Sequence, residues 1–472
     1  RRGASRIQTL LRHTDSGKHA RDATSKLSTQ MYADAAKDSE CDIAVVGGGL
    51  SGNHVVQEAV KKGVKVVACF ANPFMEFSMG AAAFLNDDAH HTTYLCGQPD
   101  KWQVKGASYI FDTVTEIDPS AKVIRFAGGT SPITYRAVVI ATGSHMPLVM
   151  PTLGDSTAAR MTEVRKVSDA IAHAKTVVFN GGGTIGVEMA GDCRAKHPDK
   201  RIILLSRDGS VLSKSHPPEM QRRVLDVLTN VMKVEVVQGV APRDWLEPRF
   251  EAGSLPISAN PDGRTELQYD FYMPTFAQGP RNEMLKGSDA LDGRGLIDVN
   301  ECLQSKKYPS LFGTNTTTFA LVGHPITSRV AAAASTCAKN ALLHVAGKNV
   351  QPHVDKESPP PMPRPMNIKI GHGPGGYMIW DTEQYPLPLK MCVFCTPCKC
   401  GYPFWPLPCC WWCAPGCSTM CGNCGGPAEG EGAAMVMPSM LKIFMKAHGF
   451  NGPGLLPPDA QEMVRDAKGK LI

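Results

Sequence analysis

The chain of 472 residues contains no uninterrupted apolar run of the ~18 residues that a membrane-spanning helix needs. It also has no long block of lysine or arginine, and its net charge is only +6. The first absence leaves attachment to a membrane surface as the remaining membrane reading. The second removes the electrostatic footprint by which nucleic acid is usually recognised, so no nucleic-acid partner is expected. Acids are scarce at the start: Arg1, Arg2, Arg6, Arg12, Lys18, Arg21 and Lys26 face only Asp15 and Asp22. A basic, acid-poor, Ser/Thr-containing leader is what mitochondrial or plastid import reads, so residues 1–40 are expected to be an organellar extension, with a solvated tail as the alternative. With 43% hydrophobic and 20% charged residues, the chain has ample material for a core divided among two to four domains.

From Cys41 the pattern is CDIAVV, then GGGLSG, a helical stretch near 53–62 and the strand VKVVACF. The order returns as TVVFN, GGGTIG, a helix near 187–194 and RIILLS. Each is a strand, a glycine-rich turn and a helix, the context that makes a G-x-G-x-x-G run specific for a dinucleotide. Gly47 and Gly181 allow the tight turn, Gly49 and Gly183 let backbone approach a pyrophosphate, and Gly52 and Gly186 let helix and strand pack closely. Between the units SYIFDTVTEI, KVIRFAGG and PITYRAVVIATGS read as a small β-meander ending in a buried strand. The fold class is therefore α/β, with two Rossmann-type dinucleotide-binding domains and a C-terminal region.

What the first unit lacks is an acid. A carboxylate is expected at the end of its second strand to accept hydrogen bonds from ribose hydroxyls. Cys69 and Phe70 stand there, and Glu76 could serve only by a loop folding back. The second unit ends its strand in Ser206, Arg207 and Asp208; Arg207 suits a ribose 2′-phosphate, so NADPH fits as well as NADH.

Taken together, VVGGGLSG, VVIATGSHMP, VVFNGGGTIGVEMAGD and RVAAAASTCAKNALLHVAGK resemble the apoptosis-inducing-factor-like flavoproteins, in particular the ferroptosis-suppressor branch. The likeness covers about Asp42 to Lys348 and resumes in GHGPGGYMIWD and MPSMLKIFMKAHG. It implies FAD in the first fold, NADH or NADPH in the second, and electrons passed to a quinone-like or protein acceptor. Carried over by position, Gly47, Gly49 and Gly52 would hold the FAD pyrophosphate and Ala141, Thr142 and Gly143 would line the flavin pocket. Gly181, Gly183, Gly186 and Glu188 would belong to NAD(P)H. The chain departs from the family twice: Phe70 replaces an acid, and Asn315 and Thr316 replace a Gly-Asp pair that contacts the flavin. A decayed flavoprotein fold, kept as a scaffold or assembly subunit of an organellar complex, therefore stands beside the enzyme reading.

Six cysteines, Cys41, Cys69, Cys96, Cys193, Cys302 and Cys337, are scattered singly and read as buried small hydrophobes. No Cys-x-x-Cys pair lies in either nucleotide domain, which argues against a dithiol reductase. The other ten are Cys392, Cys395, Cys398, Cys400, Cys409, Cys410, Cys413, Cys417, Cys421 and Cys424, in a segment dense in proline and aromatic residues. Paired Cys-x-x-Cys spacing suits zinc first, disulfides second and an iron–sulfur cluster third. The expected division is 41–155 with 290–350 for FAD, 156–289 for NAD(P)H, and 351–472 for a C-terminal region carrying a Cys-rich insertion at 390–426. That insertion, with Trp405, Trp411 and Trp412, is expected to face a partner protein or lipid headgroups.

Overall fold

The computed structural model describes residues 40–214, 216–318, 327–354, 367–371 and 377–380. The basic leader and the ten clustered cysteines lie outside the described residues.

The apolar run of β1 (Glu40–Val46) is buried on both faces, which only an interior strand of a parallel sheet allows. β1 pairs in parallel with β2 (Val66–Phe70), and β2 with β3 (Ala107–Phe111). The Ala107–Phe111 segment, expected in the meander, thus belongs to the parallel sheet, because its residues continue the ladder from Val66↔Ala107 to Phe70↔Phe111. The meander proper is β4 (Val114–Asp118), β5 (Val123–Phe126) and the start of β6 (Ile133–Ile140). β6 has two roles. Its first residues pair antiparallel with β5, and its remainder pairs in parallel with β1.

A helix, α1 (Leu50–Val60), follows the first glycine turn and covers the sheet. Between β2 and β3 the chain makes an excursion that includes the fully buried helix α2 (Ala81–Asn86). The long helix α3 (Thr157–His173), capped by the Ser156 hydroxyl accepting from the Ala159 N–H, leads into the second sheet. There β7 (Thr176–Asn180) and β8 (Arg201–Ser206) pair in parallel, joined by α4 (Thr184–Lys196). β9 (Glu235–Gln238) and β10 (Phe271–Pro274) complete four parallel strands in the order β9-β8-β7-β10. The chain then returns to the first sheet: β11 (Leu311–Gly313) pairs with the end of β6, and the helix α5 (Thr327–Val345) lies on α1. Last, β12 (Asn367–Ile370) pairs antiparallel with β13 (Tyr377–Trp380), and β12 packs on α4.

Both glycine-turn helices start about a turn earlier than the sequence pattern suggests. Gly49 and Gly183 are themselves the N-caps, so the helix opens inside the glycine motif. One apolar cluster runs from Ile43 and Phe84 through Val177 and Met189 to Ile370, so the core is continuous across both units. Where α2 meets α4, the Asn86 amide donates to the Met189 carbonyl at 3.2 Å.

Candidate dinucleotide sites

The two glycine turns are built alike. Gly47 has φ +112° and Gly181 φ +129°, values that suit glycine and not an L side chain. A Cβ on Gly52 would stand 1.8 Å from the Gly47 carbonyl oxygen, and one on Gly186 would stand 1.8 Å from that of Gly181. Helix and turn therefore touch through backbone in both units. At Gly49 and Gly183, by contrast, a Cβ would meet nothing within 4 Å. These open positions head helices whose first turns carry no acid and whose caps offer no side-chain hydrogen bond. Free N–H groups and the positive end of the helix dipole remain for an anion.

The β6 turn closes over the first cradle. The Ala141 N–H donates to the Val46 carbonyl at 2.8 Å, and a Cβ on Gly47 would stand 2.4 Å from the Ala141 oxygen. Thr142 Oγ1 is buried and has no partner among the described residues, an unspent hydroxyl beside the cradle. Gly143, at φ +78°, accepts from the Arg281 N–H at 2.9 Å, tying this turn to the strand exit of the second unit. Asn315, at φ +55°, donates its side-chain amide to the Ser51 hydroxyl in the first turn of α1. Thr316 is exposed. The structure thus brings Gly47, Gly49, Gly52, Ala141, Thr142, Gly143 and Asn315 together around one helix N-terminus.

The strand ends differ. Val46 pairs with Cys69 and Asn180 with Leu205, so Phe70 and Ser206 occupy the same register, one residue past the pair that precedes each glycine turn. Phe70 is fully buried, stacks on Trp102 at 6.2 Å and meets Tyr109 edge-on at 5.6 Å. Its ring atoms lie 3.0 Å from where a Gly48 Cβ would be. An aromatic cluster therefore fills the position of the ribose-binding acid. Ser206 is buried too, but its hydroxyl serves the Ser210 carbonyl, and Arg207 beyond it is exposed. Thr275, which the sequence did not single out, donates to the Gly181 carbonyl at 3.0 Å and braces the second turn.

Glu76 does not fold back to a ribose. It is buried against Arg160, with both oxygens 2.9 Å from guanidinium nitrogens, and lies 2.7 Å from His91 Nε2. Burial alone would push this carboxyl up; the Arg160 guanidinium and His91 outweigh it and hold the pKa down to about 2. A carboxylate so consumed has no capacity for a ligand. Glu188 behaves oppositely: burial pushes it up to about 7, against the lowering pull of Lys369.

The six described cysteines are free and buried. Burial pushes Cys41, Cys193 and Cys337 each up to about 12, so they remain thiols and form no redox pair. Among the described residues no cluster of His, Cys, Asp and Glu could hold a metal ion, and no helix is long and apolar enough to cross a membrane.

Two parallel βαβ cradles, joined through α3 and sharing one core, define a two-dinucleotide oxidoreductase fold. The chain belongs to the pyridine nucleotide-disulphide oxidoreductase family, whose model matches residues 41–314. Proteins named apoptosis-inducing factor homolog and ferroptosis suppressor protein are among those it is similar to. It is 26% identical over 280 residues to the oxidoreductase ptaL of Pestalotiopsis fici, covering 59% of this chain and 70% of that protein. It is 23% identical to ferroptosis suppressor protein 1 of Mus musculus, over 57% of this chain and 72% of that one. Apoptosis-inducing factor homolog A of Dictyostelium discoideum is 26% identical, and the chain spans only 55% of its length.

Among solved structures, the sulfide:quinone oxidoreductase of Aquifex aeolicus shares the fold with TM-score 0.55 at 16% identity, covering 74% of this chain and 85% of that one. A chain of the Tetrahymena thermophila mitochondrial ATP synthase shares it with TM-score 0.57 at 14% identity, covering 89% of this chain and 98% of that one.

The residues present fit the family's cofactors unequally. The second cradle has an open helix N-terminus and, beyond its strand end, an exposed arginine that would suit a 2′-phosphate. The first has the pyrophosphate cradle and the Thr142 hydroxyl, but Phe70 offers nothing to an adenosine ribose.

Proposed function

We propose that this protein is an NAD(P)H oxidoreductase that uses FAD to pass electrons to a quinone-like or protein acceptor. The observation that carries the reading is the duplication: two cradles with the same 1.8 Å helix-to-turn contact and the same open second glycine. Evolutionary drift in a mere scaffold would have no reason to keep Gly49 and Gly183 uncovered. FAD would supply the hydride-accepting and electron-transfer chemistry, so the protein's part would be to bind and align the two dinucleotides and exclude water. Gly49 and the first turn of α1 hold the FAD pyrophosphate, Thr142 offers its unspent hydroxyl, and Asn315 and Thr316 give neutral contacts where a carboxylate is absent. Gly183, the first turn of α4 and Arg207 hold NADPH or NADH.

A second reading is favoured by one observation, the Phe70 cluster in the ribose position: a catalytically decayed subunit of an organellar membrane assembly. The fold's recurrence over nearly the whole of a mitochondrial ATP synthase chain is in line with it. In either reading the setting we propose is a mitochondrion or plastid.

Visible absorption of the protein as purified, and again after incubation with FAD, tests the choice. A flavin spectrum that NADH or NADPH bleaches without oxygen, and that a soluble quinone restores, is the expected result. Protein that stays colourless with excess FAD while binding NADPH would sink the enzyme reading and leave the scaffold.

A further inference from the structure

Three elements distant in sequence meet on one face of α4. From the first unit come α2 and the segment that follows it, with His90 and Tyr94. From the second comes α4, with Glu188 and Asp192. From the C-terminal region comes β12, which crosses α4 where Gly191 leaves room: a Cβ there would stand 2.6 Å from Ile370 Cγ2 and 2.7 Å from the Gly371 nitrogen. Lys369 of β12 enters between the two acids. Its ammonium lies 2.7 Å from Asp192 Oδ2, with side chains only 11% and 1% exposed, and its backbone N–H donates to the Glu188 carboxylate. The other Asp192 oxygen is buried with no partner among the described residues.

We propose that β12 is a latch between the two nucleotide-binding units, and that Lys369 is the positioning residue that holds Glu188 at their shared face. A buried ammonium with two acids around it is electrically balanced only when one acid keeps its proton, and Glu188 is the one that does so. Its loss of that proton leaves a net negative charge in a site closed by Tyr94 and His90, with Asp87 and Lys196 paired at the rim. The grip of the latch therefore depends on the protonation of Glu188, and through α4 it reaches the nicotinamide cradle. That last link rests on the function proposed above; the latch itself does not.

The full chain with Lys369→Met, Lys369→Arg and Glu188→Gln tests this in two measurements. In melting temperature against pH, the wild type should lose stability as pH rises towards and through neutrality, and Glu188→Gln should flatten that loss. Lys369→Met should extend the loss to higher pH by about one unit, because the ammonium that favours the carboxylate is gone. Lys369→Arg should restore the wild-type profile. In calorimetric titration, Lys369→Met should weaken NADPH and NADH by about fivefold above neutrality while FAD content is unchanged. Superimposable melting profiles, or a Lys369→Met loss that is equal at every pH and not rescued by arginine, would overturn the latch. A wild type that binds neither nicotinamide nucleotide would overturn the proposed function alone, with the melting profiles still deciding the latch.

Discussion

The first and second nucleotide units have the same turn and different strand ends, and the difference separates what holds a phosphate from what reads a sugar. Phosphate is held by backbone: an open glycine, helix N–H groups and a dipole, none of which depends on side-chain identity. The sugar is read by a side chain at the strand end. In the first unit that position is taken by Phe70, packed into a cluster with Trp102 and Tyr109. In the second it is Ser206, followed by the exposed Arg207. The first unit has thus turned its strand-end position over to core, while the second leaves its rim exposed.

The acid nearest the first unit's strand end shows the same conversion. Arg160→Met should destabilise the protein by about 3–5 kcal/mol, because Glu76 would be left charged and buried without its partner. Urea unfolding measures it, and Glu76→Gln in the same chain should recover part of the loss. A cost below about 1 kcal/mol would mean the pair is not what fixes this loop. Phe70→Glu comes next. In FAD-free protein it should cost about 3 kcal/mol, since it removes a buried ring and places a carboxylate among aromatics. Thr316→Asp, on an exposed turn, should cost almost nothing and raise flavin content by itself, because a charge-assisted bond is about twice as strong as a neutral one. If Phe70→Glu raised flavin content without loss of stability, the cluster would be an incidental filling of the site and not a rebuilt core.

Glu188 sharpens the comparison from the second unit. Its pKa is raised from 4.5 to about 7, so its contribution to stability is full below about pH 4.5 and is lost as pH rises through about 7. A shift of that size, discounted for the side chain's partial exposure, corresponds to roughly 2 kcal/mol. Glu188→Gln should therefore leave stability at about pH 4.5 unchanged and raise it by roughly 2 kcal/mol at about pH 8, in paired denaturant titrations. An equal effect at both pH values would show that the carboxyl is not titrating there. The smallest expected effect is at Arg207: replacement by alanine should weaken NADPH by about 1 kcal/mol and leave NADH unchanged, as loss of one exposed contact to a 2′-phosphate would. Equal loss for both would place the arginine on the adenine.

Much of this was legible in the residue order. The glycine spacing placed each turn and the close helix-to-turn contact, because only glycine tolerates a 1.8 Å approach of its missing Cβ to a carbonyl, although each helix opens about a turn earlier than the pattern suggested. The apolar runs CDIAVV and TVVFN announced interior parallel strands, and single, unpaired cysteines announced buried thiols. These are local properties, set by residues adjacent in the chain. What the tertiary structure decided is the fate of each polar group whose partner is distant. Glu76 meets Arg160, 84 residues on, and so is lost to the ribose; Asp192 meets Lys369, 177 residues on, and so brings a C-terminal strand to α4, the helix of the second glycine turn. Whether Phe70 is an empty position or a filled one likewise depended on Trp102 and Tyr109 arriving beside it. Charge and burial act through space, and the chain order carries no distance between residues that only the fold brings together.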